Sequence, residues 1–345
     1  MRGNVVAMTP VEAFERVVHC LDRAHAQGFK VRAYLTARET VLATPADEIE
    51  RRAKAGTLKE LPGIGDATAR LITETFTHEM PPYLAKLESE TQVALTPAAR
   101  PYREALRGDC HMHSKWSDGG ATIESMVRTA IDLGHDYLVL TDHSPRLTVA
   151  HGLNRDRLEA QMADIEVLRE RVAPFRILTG MEVDILEDGT LDLDDDLLER
   201  LDVVVASVHS KLKMERRQMT ERMVRAVASP HVDILGHCTG RLIDKRPPST
   251  FDPDYVFAAC AAFGTAVEIN SRVERLDPPP ELLELAIEHG CKFSIDSDAH
   301  ATGQLEWLAH GCQVAADGEV PVERIVNTWD VDELLAWTVA APGEK

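Results

Sequence analysis

The sequence predicts an α/β fold, a parallel (β/α) barrel of seven units, preceded by a small all-α domain. From residue 108 onward, short apolar runs alternate with amphipathic helical segments, a pattern typical of a parallel sheet buried on both faces. Residues 10–90 show helical spacing of apolar residues instead. The length of 345 residues also suits a small module joined to a barrel-sized one.

The amino-terminal helices are predicted from start and stop signals. The first, TPVEAFERVVHCLDRAHAQ, opens with Thr-Pro and a glutamate in its first turn and ends at Gly28. Further helices are expected near Val31–Leu42 and Pro45–Ala55. Residues 91–107 contain two prolines and are predicted to be a linker. The predicted helical domain therefore covers residues 1–90.

The predicted barrel domain, residues 108–345, contains seven apolar runs that are candidate strands. In chain order they are GDCHMHS, HDYLVLTDH, FRILTGMEVDIL, DVVVASVHS, VDILGHC, TAVEINS and CKFSIDSDAH. The segments between them, such as TIESMVRTAIDLG, suit amphipathic helices, and the spacing of the units favours a barrel over an open sheet. The segment VDELLAWTV, after Val320, is expected to supply the closing helix.

The net charge of −19 is distributed unevenly. Residues 1–100 hold 13 basic and 13 acidic side chains, so the whole acidic excess lies in the remainder of the chain. Such a balance disfavours a protein that coats nucleic acid through a basic face. Bound divalent cations would offset several of the acidic charges locally.

The sequence contains no sign of a membrane or secreted protein. No stretch approaches the roughly 20 apolar residues of a membrane helix, and MRGNVVAMTPVEAF lacks the order of a secretory signal. The six cysteines are scattered without a CxxC pair, so we expect reduced, mostly buried thiols. The expected location is cytoplasmic.

Nearly every candidate strand ends in a histidine or an acidic residue. In chain order these are His111 and His113; Asp142 and His143; Glu182 and Asp184; His209; His237; Asp298 and His300. The active site of a parallel β/α barrel lies at the carboxyl ends of its strands. A single buried histidine is more often a hydrogen-bonded core residue than a metal ligand. Six histidines at equivalent strand ends are not explained in that way. We therefore expect one cluster.

The spacing within this cluster indicates metal binding. His111 and His113 are two apart on an extended segment and share one face, so both imidazoles can bind one ion. Asp298 and His300 repeat the spacing. Imidazole and carboxylate donors without thiolate suit zinc, manganese or iron at an open catalytic site, and their number exceeds what one ion accepts. More than one metal ion is predicted.

Other polar residues adjoin the motifs. Asp142 is expected to be the partner of an imidazole and Asp184 a strand-end cap, so neither is counted as a ligand. Candidate substrate-binding residues follow the motifs closely. They are Lys115, Lys211, Arg241, Asn270 and Arg272. For each of the four basic residues, a solvated surface charge is the alternative interpretation.

The runs HMHSKWSDG, LTDHS, GMEVDI, SVHS, ILGHC, EINS and DSDAH resemble the successive motifs of the polymerase and histidinol phosphatase (PHP) superfamily. The resemblance is strongest to the PHP domain of bacterial family X DNA polymerases. It implies a distorted seven-strand barrel that holds two to three divalent ions through nine residues. These are His111, His113, Asp118, His143, Glu182, His209, His237, Asp298 and His300.

The resemblance also implies a chemistry. Glu182 would bridge two metal ions, and Asp298 would orient a water molecule that attacks phosphorus. With His209, these two residues form the predicted catalytic set. Manganese is the expected metal, with zinc and iron as alternatives.

The segment LPGIGDATARLI resembles a helix-hairpin-helix, in which the turn Gly63-Ile64-Gly65 presents backbone amides to a DNA phosphate. The surrounding helices resemble the small amino-terminal domain of family X polymerases. The lyase lysine of some such domains corresponds to Leu71, so lyase activity is not expected. DNA docking, protein docking and a purely structural cap remain alternatives for this domain.

The leading functional prediction is a metal-dependent phosphodiesterase that trims the 3′ ends of DNA or cuts at damage, and thus serves DNA repair. Polymerase activity is excluded, because the segment between Glu90 and Gly108 has no room for a nucleotidyltransferase domain. The first alternative is a small-molecule phosphatase of the histidinol-phosphate type. The second is a non-catalytic scaffold stabilised by metal. The oligomeric state is left open.

Overall fold

The computed structural model describes residues 8–341 and divides the chain into two compact units, with the boundary between Val93 and Ala94. The outermost residues of both predicted domains, 1–7 and 342–345, lie outside the described part. None of the helices between residues 8 and 341 has the length and apolar character needed to cross a membrane.

The first unit is all-helical. Its helices are α1 (Pro10–Arg23), α2 (Gly28–Leu42), α3 (Ala46–Ala55), α4 (Asp66–Thr77) and α5 (Pro82–Thr91). Thr9 begins α1 with a capping box: its hydroxyl accepts from the Glu12 amide at 3.2 Å, and its own amide donates to the Glu12 carboxylate at 2.7 Å. Phe14 and Leu71 are fully buried in the core of the unit.

A tight turn joins α3 to α4. After the 3₁₀ turn Leu58–Glu60, Gly63 adopts a φ of +73° that disfavours any side chain. A Cβ there would also lie 2.6 Å from the Thr36 methyl group. Gly65 is the N-cap residue of α4. The helix-hairpin-helix arrangement predicted around Gly63-Ile64-Gly65 is therefore present.

The second unit contains a seven-stranded, wholly parallel sheet in the sequential order β1 to β7. The strands are β1 (Gly108–Asp109), β2 (Tyr137–Leu140), β3 (Arg176–Asp184), β4 (Val203–Ser207), β5 (Ile234–Leu235), β6 (Ala266–Asn270) and β7 (Phe293–Asp296). Each strand lies within one of the seven predicted runs. The expected β/α barrel is confirmed.

The barrel closes only near its carboxyl mouth. The sheet ends at β1 and β7, but a parallel bridge joins Met112 to Ala299 beyond both strands. There the His113 amide donates to the Ala299 carbonyl at 2.8 Å, and the Asp298 amide donates to the His111 carbonyl at 3.0 Å. These backbone hydrogen bonds place the motif of His111 and His113 beside that of Asp298 and His300, although the two motifs lie at opposite ends of the barrel domain in sequence.

Helices cover the outside of the barrel. They are α6 (Arg100–Ala105), α7 (Ile123–Asp132), α8 (Arg155–Val172), α9 (Asp195–Leu198), α10 (Arg216–Val227), α11 (Pro253–Phe263), α12 (Pro280–Glu288), α13 (Leu308–Asp317) and α14 (Val331–Thr338). Helix α14 is the predicted closing helix, and the Asp330 carboxylate caps its first turn. All six cysteines are buried, and none of them forms a disulfide.

Helix α6 lies within the segment that the sequence analysis treats as a linker. The Tyr102 hydroxyl donates to the Val320 carbonyl at 3.0 Å, and Arg103 donates to the Leu133 carbonyl at 3.0 Å. Pro101 suggests irregular chain in the sequence, but it occupies the first turn of α6, where a helix needs no backbone N–H. Residues 100–105 therefore pack on the barrel.

Candidate metal centre

The nine predicted ligands meet at the carboxyl mouth of the barrel. Eight lie in strands or directly after them, and Asp118 comes from the turn that follows β1. Those at the bottom of the mouth, such as His111 and Glu182, are almost completely buried. Asp118 is exposed, and His209 and His300 are partly so. The cluster thus runs from a buried floor to an open rim.

Glu182 stands at the centre of the cluster. Its Oε1 lies 2.8 Å from His237 Nε2 and 3.1 Å from His209 Nε2. Its Oε2 lies 2.8 Å from His143 Nδ1, 3.4 Å from His111 Nε2 and 3.6 Å from His113 Nε2. The two oxygens therefore face two different sets of imidazoles, an arrangement suited to a carboxylate shared between two ions.

The donor atoms form three overlapping groups, within each of which all atoms lie within 4.8 Å of one another. The groups are His113, Asp118, His143 and His300; His111, His113 and Asp298; and His143, Glu182 and His209. His237 joins the third group through Glu182. Because His113 and His143 belong to two groups each, neighbouring ions would share ligands.

The hydrogen bonding of the imidazoles fits metal ions. His111 Nε2 and His113 Nε2 approach to 3.2 Å, so both rings aim a nitrogen at the same point. Within residues 8–341, Nε2 of His209 is buried and has no hydrogen-bond partner, although it lies 3.1 Å from Glu182 Oε1. Buried polar atoms are normally satisfied, and their absence of partners is a sign of a missing ligand. The donor set can hold several divalent ions.

The electrostatics of the site favour ionised carboxylates. Burial raises the pKa of Glu182, but the charges of His209, His111 and His143 outweigh it and hold that pKa well below its ordinary value. Burial likewise opposes ionisation of Asp118, and the hydrogen bond and charge of His300 overcome it, so its pKa is also lowered. Both side chains are therefore available as anionic ligands.

The imidazoles respond in opposite directions. Burial, together with the charges of His300 and His143, lowers the pKa of His113 well below its ordinary value. Burial also acts against the charged form of His209, but Glu182 and Asp184 outweigh it and raise the pKa of His209 to about 9. A metal ion finds His113 already neutral but must displace a proton from His209.

Glu268 is a further residue of the centre, and it is not among the residues predicted from the sequence. This side chain is fully buried, and its Oε1 lies 2.5 Å from Nδ1 of His111. Its Oε2 accepts from the His237 amide at 2.5 Å and from the Asn270 side chain at 3.1 Å. Strand alternation could have predicted this position from the sequence, because Glu268 is two residues before Asn270 and shares the inward face of β6 with it.

The role expected for Asp142 is wrong, whereas Asp184 accepts a backbone amide at the end of a strand, as a cap does. Within residues 8–341, Asp142 pairs with no imidazole but accepts hydrogen bonds from the Ser114 amide and hydroxyl at 2.8 and 2.7 Å and from the Ser117 hydroxyl at 2.5 Å. Asp184 accepts from the His209 amide at 3.0 Å and lies 3.6 Å from His209 Nδ1. The reason is that these contacts join different strands, which sequence neighbours do not reveal.

Two of the predicted substrate-binding residues lie in the centre. The Asn270 side chain donates to Asp298 Oδ2 at 3.2 Å and accepts from the Arg272 amide at 3.1 Å. Arg272 Nη1 lies 3.0 Å from His300 Nδ1 and 3.5 Å from Asp298 Oδ1. Arg275, which the sequence analysis did not single out, donates to Asp298 Oδ2 at 3.1 Å. Together these side chains fix the orientation of the Asp298 carboxylate.

The other three lie elsewhere. Arg241 donates through its guanidinium to the carbonyls of Arg275 and Leu276, so it holds the loop after β6. Lys211 is exposed and lies 3.6 Å from the Glu187 carboxylate. Lys115 is exposed and lines a groove between α7 and α8. Arg241 is thus committed to a structural contact in this state of the molecule.

The hairpin of the helical unit satisfies its own polar groups. The Gly65 amide donates to the Thr68 hydroxyl at 2.9 Å, and the Ile64 amide donates to the Leu61 carbonyl at 3.3 Å. Its four neighbouring basic side chains each meet a carboxylate. The pairs are Arg51–Glu48, Arg52–Glu48 and Glu60, Lys54–Glu50, and Lys59–Asp66.

Comparison with known proteins identifies both units. The model of the PHP domain matches residues 109–256, and that of a helix-hairpin-helix domain matches residues 9–79. The chain is 39% identical over 232 residues to the DNA polymerase/3′-5′ exonuclease PolX of Bacillus subtilis strain 168. This match covers 67% of the chain but only 41% of that relative.

Other relatives have phosphatase names. A probable phosphatase of Thermoanaerobacter sp. strain X514 is 29% identical over 232 residues, which cover 64% of this chain and 89% of that protein. A crystal structure of histidinol phosphate phosphatase from Lactococcus lactis, complexed with zinc, L-histidinol and phosphate, is 17% identical with a TM-score of 0.44. It aligns with 62% of this chain and 93% of that one.

Members of the PHP family are metal-dependent phosphoesterases, and seven of the nine clustered side chains lie in the residues that the family model matches. The matched residues also contain the first five of the seven motifs. The barrel of this chain is a PHP domain, and a helix-hairpin-helix domain precedes it.

Proposed function

We propose that this protein is a metal-dependent phosphodiesterase that hydrolyses DNA, as a 3′-5′ exonuclease or at damaged sites. The observation that carries the hydrolytic part is the convergence of nine imidazole and carboxylate side chains on one mouth. The support for DNA as the substrate is the helix-hairpin-helix domain together with the similarity to PolX.

Nine residues would hold two to three divalent ions. They are His111, His113, Asp118, His143, Glu182, His209, His237, Asp298 and His300. Manganese is the metal we propose, since hard carboxylate donors accompany the imidazoles, with zinc and iron as alternatives. When bound, such cations supply a nucleophilic water at neutral pH and neutralise charge on the phosphoryl group.

The protein's own residues would position the reacting groups. Asp298 has its Oδ2 held by Asn270 and Arg275, which leaves Oδ1 directed toward His113 Nε2 at 3.6 Å. A carboxylate fixed in this way can orient a nucleophile by accepting its proton. Glu182 and His209 would complete the catalytic set, and Arg272 would contact the phosphate.

A small-molecule phosphatase is the second candidate. It is favoured by the ion pairs beside the hairpin, because Arg52, Lys54 and Lys59 already meet carboxylates of the same unit. The similarity to a probable phosphatase over 89% of that protein supports it as well. The two candidates share the hydrolytic centre and differ in the size of the alcohol that leaves.

Hydrolysis by the manganese-loaded chain would decide between them. The substrates are 3′-recessed DNA, abasic-site DNA, histidinol phosphate and a generic phosphate monoester. Asp298→Ala should lower the metal-dependent rate by more than about 100-fold, because it removes a ligand and an orienting base. The control is Asp132→Ala, an exposed carboxylate on α7.

Cleavage of DNA that requires Asp298 would support the proposal. Hydrolysis of the phosphate monoesters without hydrolysis of DNA would indicate a small-molecule phosphatase instead. A metal-depleted protein as active as the loaded one would contradict both candidates. Absence of hydrolysis by the manganese-loaded protein on all four substrates would instead favour a non-catalytic scaffold.

A further inference from the structure

The turn after β1 is held rigidly. The amides of Ser117 and Gly119 both donate to the Ser114 carbonyl, at 3.1 and 2.9 Å. The fully buried Asp142 accepts from both serine hydroxyls. A Cβ on Gly119 would lie 2.7 Å from the Ser114 carbonyl group, so the backbone here has no room to rearrange. The turn is thus a built feature rather than a loose loop.

This turn separates two surfaces. Asp118 belongs to the metal cluster, whereas Lys115 and Trp116 line a groove of about 460 Å³ between α7 and α8. Three residues of chain span at most about 10 Å. A ligand group bound near Lys115 would therefore lie close enough to the metal centre to belong to the same substrate molecule.

The groove combines an aromatic ring with a small excess of positive charge. Its charged lining consists of three basic and two acidic side chains: Lys115, Arg157, Arg171, Glu124 and Asp164. Trp116 is partly exposed, and the Arg157 guanidinium carbon lies 6.0 Å from the centroid of its ring. Arg171 pairs with Glu124 at 3.0 Å. Among residues 8–341, Lys115 is exposed and forms no ion pair with a carboxylate. An unpaired lysine is notable in a barrel that carries the whole acidic excess of the chain.

We propose that this groove binds the nucleotide on the 5′ side of the scissile phosphate of single-stranded DNA, in the strand that leaves on hydrolysis. The base would pack against Trp116, and its phosphate would meet Lys115. Aromatic stacking beside a cationic side chain is the combination with which proteins hold single strands without reading their sequence. This inference rests on the proposed function, because it assigns a binding site to the DNA strand whose phosphodiester bond the metal centre would cleave.

The test compares a long and a short substrate of the same centre. The manganese-loaded full chain is given a labelled oligothymidylate and, separately, the p-nitrophenyl ester of thymidine 5′-monophosphate. Lys115→Ala and Trp116→Leu should lower kcat/KM for the oligonucleotide about tenfold and leave the ester nearly unchanged. Trp116→Phe should recover most of the oligonucleotide activity, since its ring still stacks.

Arg217→Ala is the charge-matched control, because it removes one exposed cation from α10, outside the groove. Binding of the same oligothymidylate to the metal-free chain, followed by fluorescence anisotropy, supplies a readout that needs no catalysis. Thermal melting of each variant, measured alongside, distinguishes a variant that binds the oligonucleotide poorly from one that folds poorly.

The outcomes separate the two proposals. If the groove variants lose kcat/KM equally on both substrates, or lose none, the groove does not bind the nucleotide. The proposal of DNA hydrolysis would be unaffected by that result. Binding that depends on Lys115 and Trp116, without cleavage of DNA, would support the groove and contradict the proposed reaction. An oligonucleotide that is neither bound nor cleaved would overturn both.

Discussion

The barrel mouth and the helical hairpin treat their polar groups in opposite ways. At the mouth, Glu182 and His113 are buried, and the ring nitrogens of His209 lack hydrogen-bond partners among residues 8–341. At the hairpin, the Gly65 amide and the Lys59 ammonium group both have partners within the unit. The mouth therefore needs a ligand to complete it, whereas these two groups of the hairpin do not.

The energetic consequences differ accordingly. A buried polar group without a partner costs about 1–3 kcal/mol, so the mouth gains stability when ions bind. An exposed ion pair contributes only about 0–1 kcal/mol, so exchanging a carboxylate for a phosphate at the hairpin changes little. Metal affinity should thus be strong and depend on buried supporting contacts, whereas any DNA affinity of the hairpin should be weak and sensitive to salt.

The buried supporting contacts can be tested at Glu268. Its carboxylate holds Nδ1 of His111 and the His237 amide, so Glu268→Ala should lower metal affinity about 10- to 100-fold. Titration with manganese, with the bound metal counted by elemental analysis, measures the effect. Glu187→Gln, on an exposed loop, is the control. A Glu268→Ala variant that binds metal with wild-type affinity would contradict the supporting role.

The protonation of His209 at the mouth should have the next largest effect on metal affinity. Because the pKa of His209 is raised to about 9, the metal-free site carries a proton there at pH 7.5 that an incoming ion must displace. Affinity should therefore rise with pH, approaching tenfold per unit below pH 9. Calorimetric titration in two buffers of different ionisation enthalpy counts the protons released. Binding without proton release would show that His209 is neutral beforehand.

The smallest expected effect lies at the hairpin. Asp66 occupies the first turn of α4 and pairs with Lys59 at 2.7 Å. Asp66→Ala frees that lysine and removes an anion from the helix start, so duplex DNA should bind about threefold more tightly at low salt. Fluorescence anisotropy measures this, with Glu79→Ala as the control for lost negative charge. An unchanged affinity would count against DNA docking at the hairpin.

The sequence by itself determined the strands of the barrel and the polar side chains that meet at its mouth. Polar residues that end apolar runs reach one mouth because all strands of a parallel barrel point the same way. The two-residue spacing of His111 and His113 follows from strand alternation. The hairpin likewise followed from a local motif, since the φ of Gly63 depends on its own turn.

Only the tertiary structure decided which carboxylate supports which imidazole. Glu268 and His111 are 157 residues apart, and Asp142 turned out to hold the serines of a loop rather than a ring. The pairing of the basic residues beside the hairpin and the groove at Trp116 are also absent from any local pattern. Local spacing fixes the face on which a residue lies, whereas the partner it meets depends on packing between distant segments.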